Sequence, residues 1–345
     1  ELIDQVIRQG RQAIVLIPEI ALTYQTVRRF YGRFGDKVSV INSRLSQGER
    51  YDQFKRAKQG ELQVMVGPRS ALFTPFGNLG LIIIDEEHES SYKSENSPRY
   101  HARETAIYRA KMEGANVILG SATPSMEAYY RASKGEYAMV KLEARYEERP
   151  LPQVSIVDMR EQLKKGNRSA LSMELKGALG QCLAKGEQAM LFLNRRGYAG
   201  FVSCRSCGHV ITCPSCSISM TYHHANRQLI CHYCGHMQEA VRICPECGSD
   251  KIRYSGLGTQ RVEEKIEELF PGEKILRMDT DTTMSRFAYE KKFNQFASGQ
   301  YSIMIGTQMV AKGLDFPNVG LVGVLSADQA LYGDDYRCFE TTFSL

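Results

Sequence analysis

A chain of 345 residues, 43% hydrophobic and 24% charged, has room for two ordinary domains with real cores, which excludes a disordered or fibrous protein. The net charge of +5 suits a nucleic-acid partner without requiring one. No apolar run approaches the roughly 20 residues of a membrane helix, and no signal-peptide pattern opens the chain, so no membrane partner is expected.

The chain opens without Met in an amphipathic helical pattern, Glu1–Gln9, and stops abruptly at Leu345; both ends read as cuts through a longer protein. Apolar runs at Ala13–Pro18, Val38–Ile41, Leu62–Gly67, Leu79–Asp85 and Asn116–Thr123 predict strands. Helical patterns at Ala21–Phe34 and Gly48–Gln59 separate the first three. Runs that are apolar at every position suit strands covered on both faces, as in a parallel α/β sheet. Residues 140–172, with Pro150, Pro152 and little periodicity, read as a linker. A second α/β unit follows, with a helix at Leu175–Gly186 and a strand at Gln188–Asn194. A cysteine-rich block interrupts it. The rhythm resumes with a helix at Gly258–Phe270 and strands at Lys274–Asp279, Tyr301–Thr307 and Val319–Asp328. The expected division is 1–139, 140–172 (linker), 173–202, 203–250 (cysteine insert) and 251–345.

Eight of the ten cysteines form four Cys-x-x-Cys pairs: Cys204/Cys207, Cys213/Cys216, Cys231/Cys234 and Cys244/Cys247. Two intervening residues let both sulfurs turn toward one ion, and Gly208, Gly235 and Gly248 permit the tight turn that follows. Four pairs make two structural Cys₄ zinc sites. Spacing alone leaves open which pairs share an ion. Disulfides and an iron–sulfur centre are the alternatives, less suited to a large α/β chain without an export signal. His209, His223, His224, His232 and His236 are expected not to be ligands.

The strand ending at Asp85 delivers Asp85 and Glu86 to its carboxyl end, where α/β proteins place ligands. Asp85 can hold Mg²⁺ through water, Glu86 can polarise a water attacking a γ-phosphate, and His88 can link that site to the next loop. A solvated acidic turn is the plain alternative.

The companions of this D-E-E-H string shift the balance. They are LIPEIALT (Leu16–Thr23), GPRSALFTPF (Gly67–Phe76), GSATPS (Gly120–Ser125), LFLNRRGY (Leu191–Tyr198) and GTQMVAKGLDFPNV (Gly306–Val319), with the cysteine pairs between the last two. Together they resemble the superfamily 2 DNA helicases of the PriA (primosomal protein N′) family over essentially the whole chain. The resemblance implies an α/β fold of two RecA-like parallel-sheet lobes, the second with an inserted double zinc module. It implies a nested pairing, Cys204, Cys207, Cys244 and Cys247 on one zinc and Cys213, Cys216, Cys231 and Cys234 on the other. It implies Mg²⁺ and ATP at Asp85, Glu86 and His88 in the cleft between lobes, with Ser121 and Thr123 linking hydrolysis to lobe movement. Thr307, Gln308, Lys312 and Asp315 would serve DNA backbone and nucleotide. DNA contacts are implied for Arg69, Ser70, Arg195 and Arg196, and for an aromatic-rich loop between Glu89 and Arg109 with Tyr92, Arg99, Tyr100, His101 and Arg103. The implied activity is ATP-driven 3′ to 5′ movement on single-stranded or forked DNA in replication restart. It would be carried out by a monomer in the bacterial cytoplasm at the nucleoid, with primosome proteins and single-stranded DNA-binding protein as partners.

No G-x-x-x-x-G-K-[ST] string occurs, and no arginine-bearing motif VI follows motif V. The 345 residues alone are therefore expected to hydrolyse little ATP. The competing readings are a non-catalytic zinc-ribbon module that binds nucleic acid or protein, and another superfamily 2 translocase, such as a RecG-like or a remodelling enzyme.

Overall fold

The computed structural model describes residues 1–18, 22, 24–43, 45–144, 150–193, 202–223, 227–231, 234–253, 259–278, 288–307, 316–332 and 335–344. They form two compact units, Glu1–Lys141 and a second beginning at Leu142.

In the first unit, α1 (Leu2–Arg8), β1 (Gln12–Leu16), α2 (Tyr24–Phe34), β2 (Val38–Val40), α3 (Gln47–Lys58), β3 (Val64–Gly67), β4 (Leu79–Ile84), α4 (Ala102–Glu113), β5 (Asn116–Leu119) and α5 (Met126–Ser133) follow one another. The five strands are parallel in the order β2-β3-β1-β4-β5. Ile14, Leu16, Met65, Ile82 and Ile84 are fully buried, which explains why these strands are apolar almost throughout. Each such side chain contributes roughly 1.5–3 kcal/mol relative to exposure. Three of these helices begin at side-chain caps: Ser46 and Glu49 form a reciprocal capping box on α3, His101 caps α4 and Ser125 caps α5. Gly114 ends α4 in the left-handed conformation (φ 60°), where glycine has no steric cost.

Helix α4 corrects one expectation. The end of the segment read as an aromatic loop, from Ala102 on, is helical, and Ala102, Ala106 and Ala110 of that helix are buried at i, i+4, i+8. An alanine stripe gives a weak hydrophobic signal but lets a helix lie close on a sheet.

The second unit contains α6 (Met159–Lys164), α7 (Met173–Ala184), β6 (Gln188–Leu193), β7 (Ser203–Cys204), β8 (Thr221–His223), β9 (Gln228–Ile230), β10 (Met237–Glu239), β11 (Ile252–Arg253), α8 (Thr259–Leu269), β12 (Ile275–Met278), α9 (Ala288–Ala297), β13 (Ile303–Gly306), β14 (Val319–Leu325) and α10 (Cys338–Phe343). Its main sheet is parallel, in the order β12-β13-β6-β14. That matches β2-β3-β1-β4 of the first unit strand for strand, although no sequence repeat is visible. The cysteine insert leaves after β6 and returns before α8. It carries its own three-stranded antiparallel sheet, β10-β9-β8, and the pair β11-β7. The stretch read as a linker holds α6, and its Gln162 and Leu171 are buried. No helix of the described residues is long and apolar enough to cross a membrane.

Candidate active site and zinc centres

In the first unit the connection after β1 runs to one side of the sheet and that after β4 to the other. The crevice between their carboxyl ends is thus the switch point where such sheets bind ligands. The register sets Leu16 beside Ile84 and Ile84 beside Leu119, so three strand tips stand level. Asp85 N–H donates to Leu16 O at 2.9 Å, and Gly120 N–H to Ile84 O at 2.8 Å.

From this ledge the four residues of D-E-E-H diverge. Asp85 is exposed at the tip, yet the protein packed beneath it pushes its carboxyl above the ordinary range. The Glu86 N–H, 3.1 Å away, and His88 act in the opposite sense. A divalent cation placed beside such a carboxyl would favour its charged form. Glu86 has a positive φ of 49°, a sparsely populated conformation for a residue with a Cβ and a common mark of functional turns. Its Oε2 lies 3.6 Å from His88 Nδ1. His88 Nδ1 is 2.7 Å from Ser121 Oγ, and Ser121 Oγ also accepts from Thr123 N–H at 3.0 Å. The D-E-E-H and G-S-A-T strings therefore meet through a direct hydrogen bond.

Glu87, which sequence reasoning passed over, is buried. Its Oε1 accepts from Ser125 N–H at 2.6 Å, and its Oε2 accepts from Ser125 Oγ at 3.0 Å and Arg103 Nη1 at 3.1 Å.

Two of the residues expected at DNA are placed elsewhere. Tyr92 is 1% exposed, and its hydroxyl donates to Leu16 O at 3.0 Å and Asp85 O at 2.6 Å. Its ring supports the strand tips and offers no face to a base; burial, then the charge of Asp85, raises its phenol well above the usual range. Arg103 is 6% exposed and ion-paired with Glu87, so its guanidinium is out of reach of a phosphate. Arg69 and Tyr100 are brought together: burial raises the Tyr100 phenol while the adjacent Arg69 charge and hydrogen bond lower it. Arg69 Nη1 also donates to Ser91 O and Lys93 O at 2.7 and 2.8 Å. Tyr100 stands edge-on to the half-exposed Phe73, with centroids 5.2 Å apart. Ser70 lies in the short 3₁₀ turn Arg69–Phe73, and Arg99 Nε donates to Glu95 O. In the second unit Thr307 directly follows β13; Gln308, Lys312, Asp315, Arg195 and Arg196 lie outside the described residues.

The cysteines form two nested groups, Cys204, Cys207, Cys244 and Cys247 around Cys213, Cys216, Cys231 and Cys234, with all sulfurs of a group within 4.8 Å of one another. Sγ–Sγ distances of 3.6 Å (Cys204–Cys247 and Cys213–Cys234) and 3.7 Å (Cys207–Cys244) are far too long for a disulfide. They match the spacing of about 3.8 Å expected for four sulfurs about 2.3 Å from one zinc. The hydrogen bond with Cys234, then burial, pushes the Cys216 thiol up to about 12, whereas backbone N–H donors hold the Cys204 thiol down at about 7 against its burial. Four thiolates at this spacing are the donor set of a structural zinc site. Each pair is the same knuckle. The carbonyls of Cys204, Cys213, Cys231 and Cys244 accept from Gly208, Ser217, Gly235 and Gly248 N–H, at 2.8–3.0 Å. Those four residues all have positive φ: 84°, 58°, 76° and 69°. The β7–β11 pair closes the outer site, with Cys204 opposite Ile252. Arg160 against Cys207 O (3.5 Å), Arg205 on Arg168 O (3.2 Å) and Ser219 on Tyr332 O (2.7 Å) attach the insert to its own unit.

Comparison with known proteins agrees. Residues 1–131 match the DEAD/DEAH box helicase family, 213–238 the PriA DNA helicase Cys-rich region (CRR) domain and 251–337 the helicase conserved C-terminal domain. Replication restart protein PriA of Bacillus subtilis (strain 168) is 55% identical over 343 residues, 99% of this chain and 43% of the relative. Over nearly its whole length this chain is PriA-like. The PriA of Synechocystis sp. is 47% identical over 344 residues (97% of this chain, 41% of the relative), and that of Treponema pallidum 40% over 342 (99% and 51%). The chain thus spans about half the length of the PriA relatives it matches. The fold is two parallel-sheet α/β lobes of the RecA-like helicase type, with the paired Cys₄ centres in the second.

Proposed function

We propose that the protein carrying this chain is an ATP-dependent DNA helicase of replication restart, moving 3′ to 5′ on single-stranded or forked DNA and assembling primosome proteins there. The observation that carries this reading is the hydrogen bond between His88 and Ser121. It joins the carboxylate tip of β4 to the loop after β5, so a change at the tip is passed to Gly120–Ser125. Asp85 would hold the magnesium ion of Mg·ATP through water, and the ion would neutralise developing phosphate charge. Glu86, held in its unusual conformation, orients the attacking water and accepts its proton. Arg69 and Tyr100, which touch each other, and Ser70 in the same short turn as Arg69 would serve backbone and base contacts. By family resemblance Thr307, Gln308, Lys312 and Asp315 would serve the DNA backbone and the nucleotide, and Arg195 and Arg196 the DNA. The two zinc centres stiffen the insert and take no part in the chemistry.

Strand displacement by the full-length protein on partial duplexes with a 3′ or a 5′ single-stranded arm tests this. ATP-dependent unwinding from the 3′ arm is expected, and unwinding from the 5′ arm alone, or none, contradicts it. We further propose that these 345 residues by themselves hydrolyse little ATP, since they contain no G-x-x-x-x-G-K-[ST] string. Robust DNA-stimulated phosphate release by this chain would overturn that.

A further inference from the structure

We infer that Glu87 is a positioning residue: it clamps both ends of the Gly120–Ser125 loop and thereby holds Ser121 against His88. The inference rests on the helicase reading for its consequence in turnover, but its geometry stands alone. Glu87 N–H donates to Gly120 O at 3.0 Å, at the start of the loop. Its carboxylate takes both donors of Ser125, N–H at 2.6 Å and Oγ at 3.0 Å, at the end. Ser121 lies between these two anchors, and His88 follows Glu87 in the chain. One residue therefore fixes the separation between the imidazole and the hydroxyl.

Arg103 holds the clamp from α4. Its Nη1 reaches Glu87 Oε2 at 3.1 Å and Ser125 Oγ at 2.7 Å, while its Nε reaches Glu104 at 3.2 Å. Ser125 Oγ in turn caps α5 through Ala128 N–H. The Glu87 and Arg103 side chains are 1% and 7% exposed. An ion pair this deeply buried depends on its geometry, and an apolar filling would serve stability as well. Its form suits orientation: two carboxylate oxygens accept three hydrogen bonds from two elements that must keep register.

The test uses Glu87→Gln. An amide cannot accept at both of its terminal atoms, so either Ser125 N–H or the Arg103/Ser125 Oγ pair then faces a second donor. In this chain, the ¹⁵N resonances of the His88 imidazole, assigned with His88→Gln among the seven histidines, should shift in Glu87→Gln while the amide spectrum stays dispersed. In the full-length protein, kcat for DNA-stimulated ATP hydrolysis should fall about tenfold or more, with KM for ATP changed less than about twofold. Arg103→Lys keeps the charge but loses the fork, and should show the same imidazole shift if Glu87→Gln does not fold. Unchanged His88 resonances in a folded variant overturn the inference, as does failure of both variants to fold, which would make the network a structural brace only. If the resonances shift while the full-length wild type hydrolyses no ATP, the clamp stands and the helicase reading falls.

Discussion

His88 Nδ1 lies 2.7 Å from Ser121 Oγ, which ties the acidic tip of one strand to the loop of its neighbour 33 residues later. Ser121→Ala removes the bond and also the acceptor for Thr123 N–H. If the bond strengthens in the transition state, its loss of about 1.4 kcal/mol lowers kcat about tenfold. Steady-state phosphate release by the full-length protein with forked DNA measures this; an unchanged kcat would show that the contact transmits nothing.

Tyr92 separates scaffold from DNA contact. Tyr92→Phe leaves Asp85 O without its 2.6 Å donor and should cost about 1–2 kcal/mol in urea unfolding, with single-stranded DNA affinity unchanged. Tyr100→Ala, at the surface beside Arg69, should weaken DNA binding instead. Weakened binding by Tyr92→Phe at full stability would reverse the assignment.

Asp85 gives a pH signature. Its folded-state carboxyl is raised by burial, so the native state holds its proton to higher pH than the unfolded chain does. Stability is therefore lost as pH rises from the ordinary carboxylate value through the raised one. Asp85→Asn should be more stable than wild type at neutral pH, and the difference should vanish below the unfolded value. Thermal melts at several pH values, without divalent cations, read this directly, and a difference that grew in acid would contradict it.

The zinc knuckles supply a backbone test. Ser217 occupies with φ 58° the position that glycine holds in the other three. Ser217→Gly should stabilise the inner site, and Gly248→Ala destabilise the outer one, each by about 1 kcal/mol. Metal analysis should give two zinc per chain, and chelator-driven release followed by a colorimetric dye should be slower for Ser217→Gly.

What the sequence revealed and what it hid have physical reasons. Strands such as Leu79–Ile84 are apolar throughout because both faces are covered, and that pattern is legible without a structure. Cys-x-x-Cys spacing shows that sulfurs converge, but only their positions in space show that Cys204 lies by Cys247. Helix α4 was hidden because its buried stripe is alanine, set among tyrosines and arginines. Tyr92 and Arg103 are residue types that suit DNA, and composition does not say which way a side chain points. Glu87 was masked by its neighbours: three acids in a row read as one exposed cluster, while the structure turns the third inward onto Ser125.

The most direct measurement compares wild type, Asp85→Asn and Glu86→Gln in full-length protein by DNA-stimulated phosphate release, with zinc content checked in each. The strand-tip carboxylates should each prove worth about a hundredfold or more in kcat, with both zinc ions retained. Wild-type turnover by Glu86→Gln would contradict the assignment of ATP chemistry to this site.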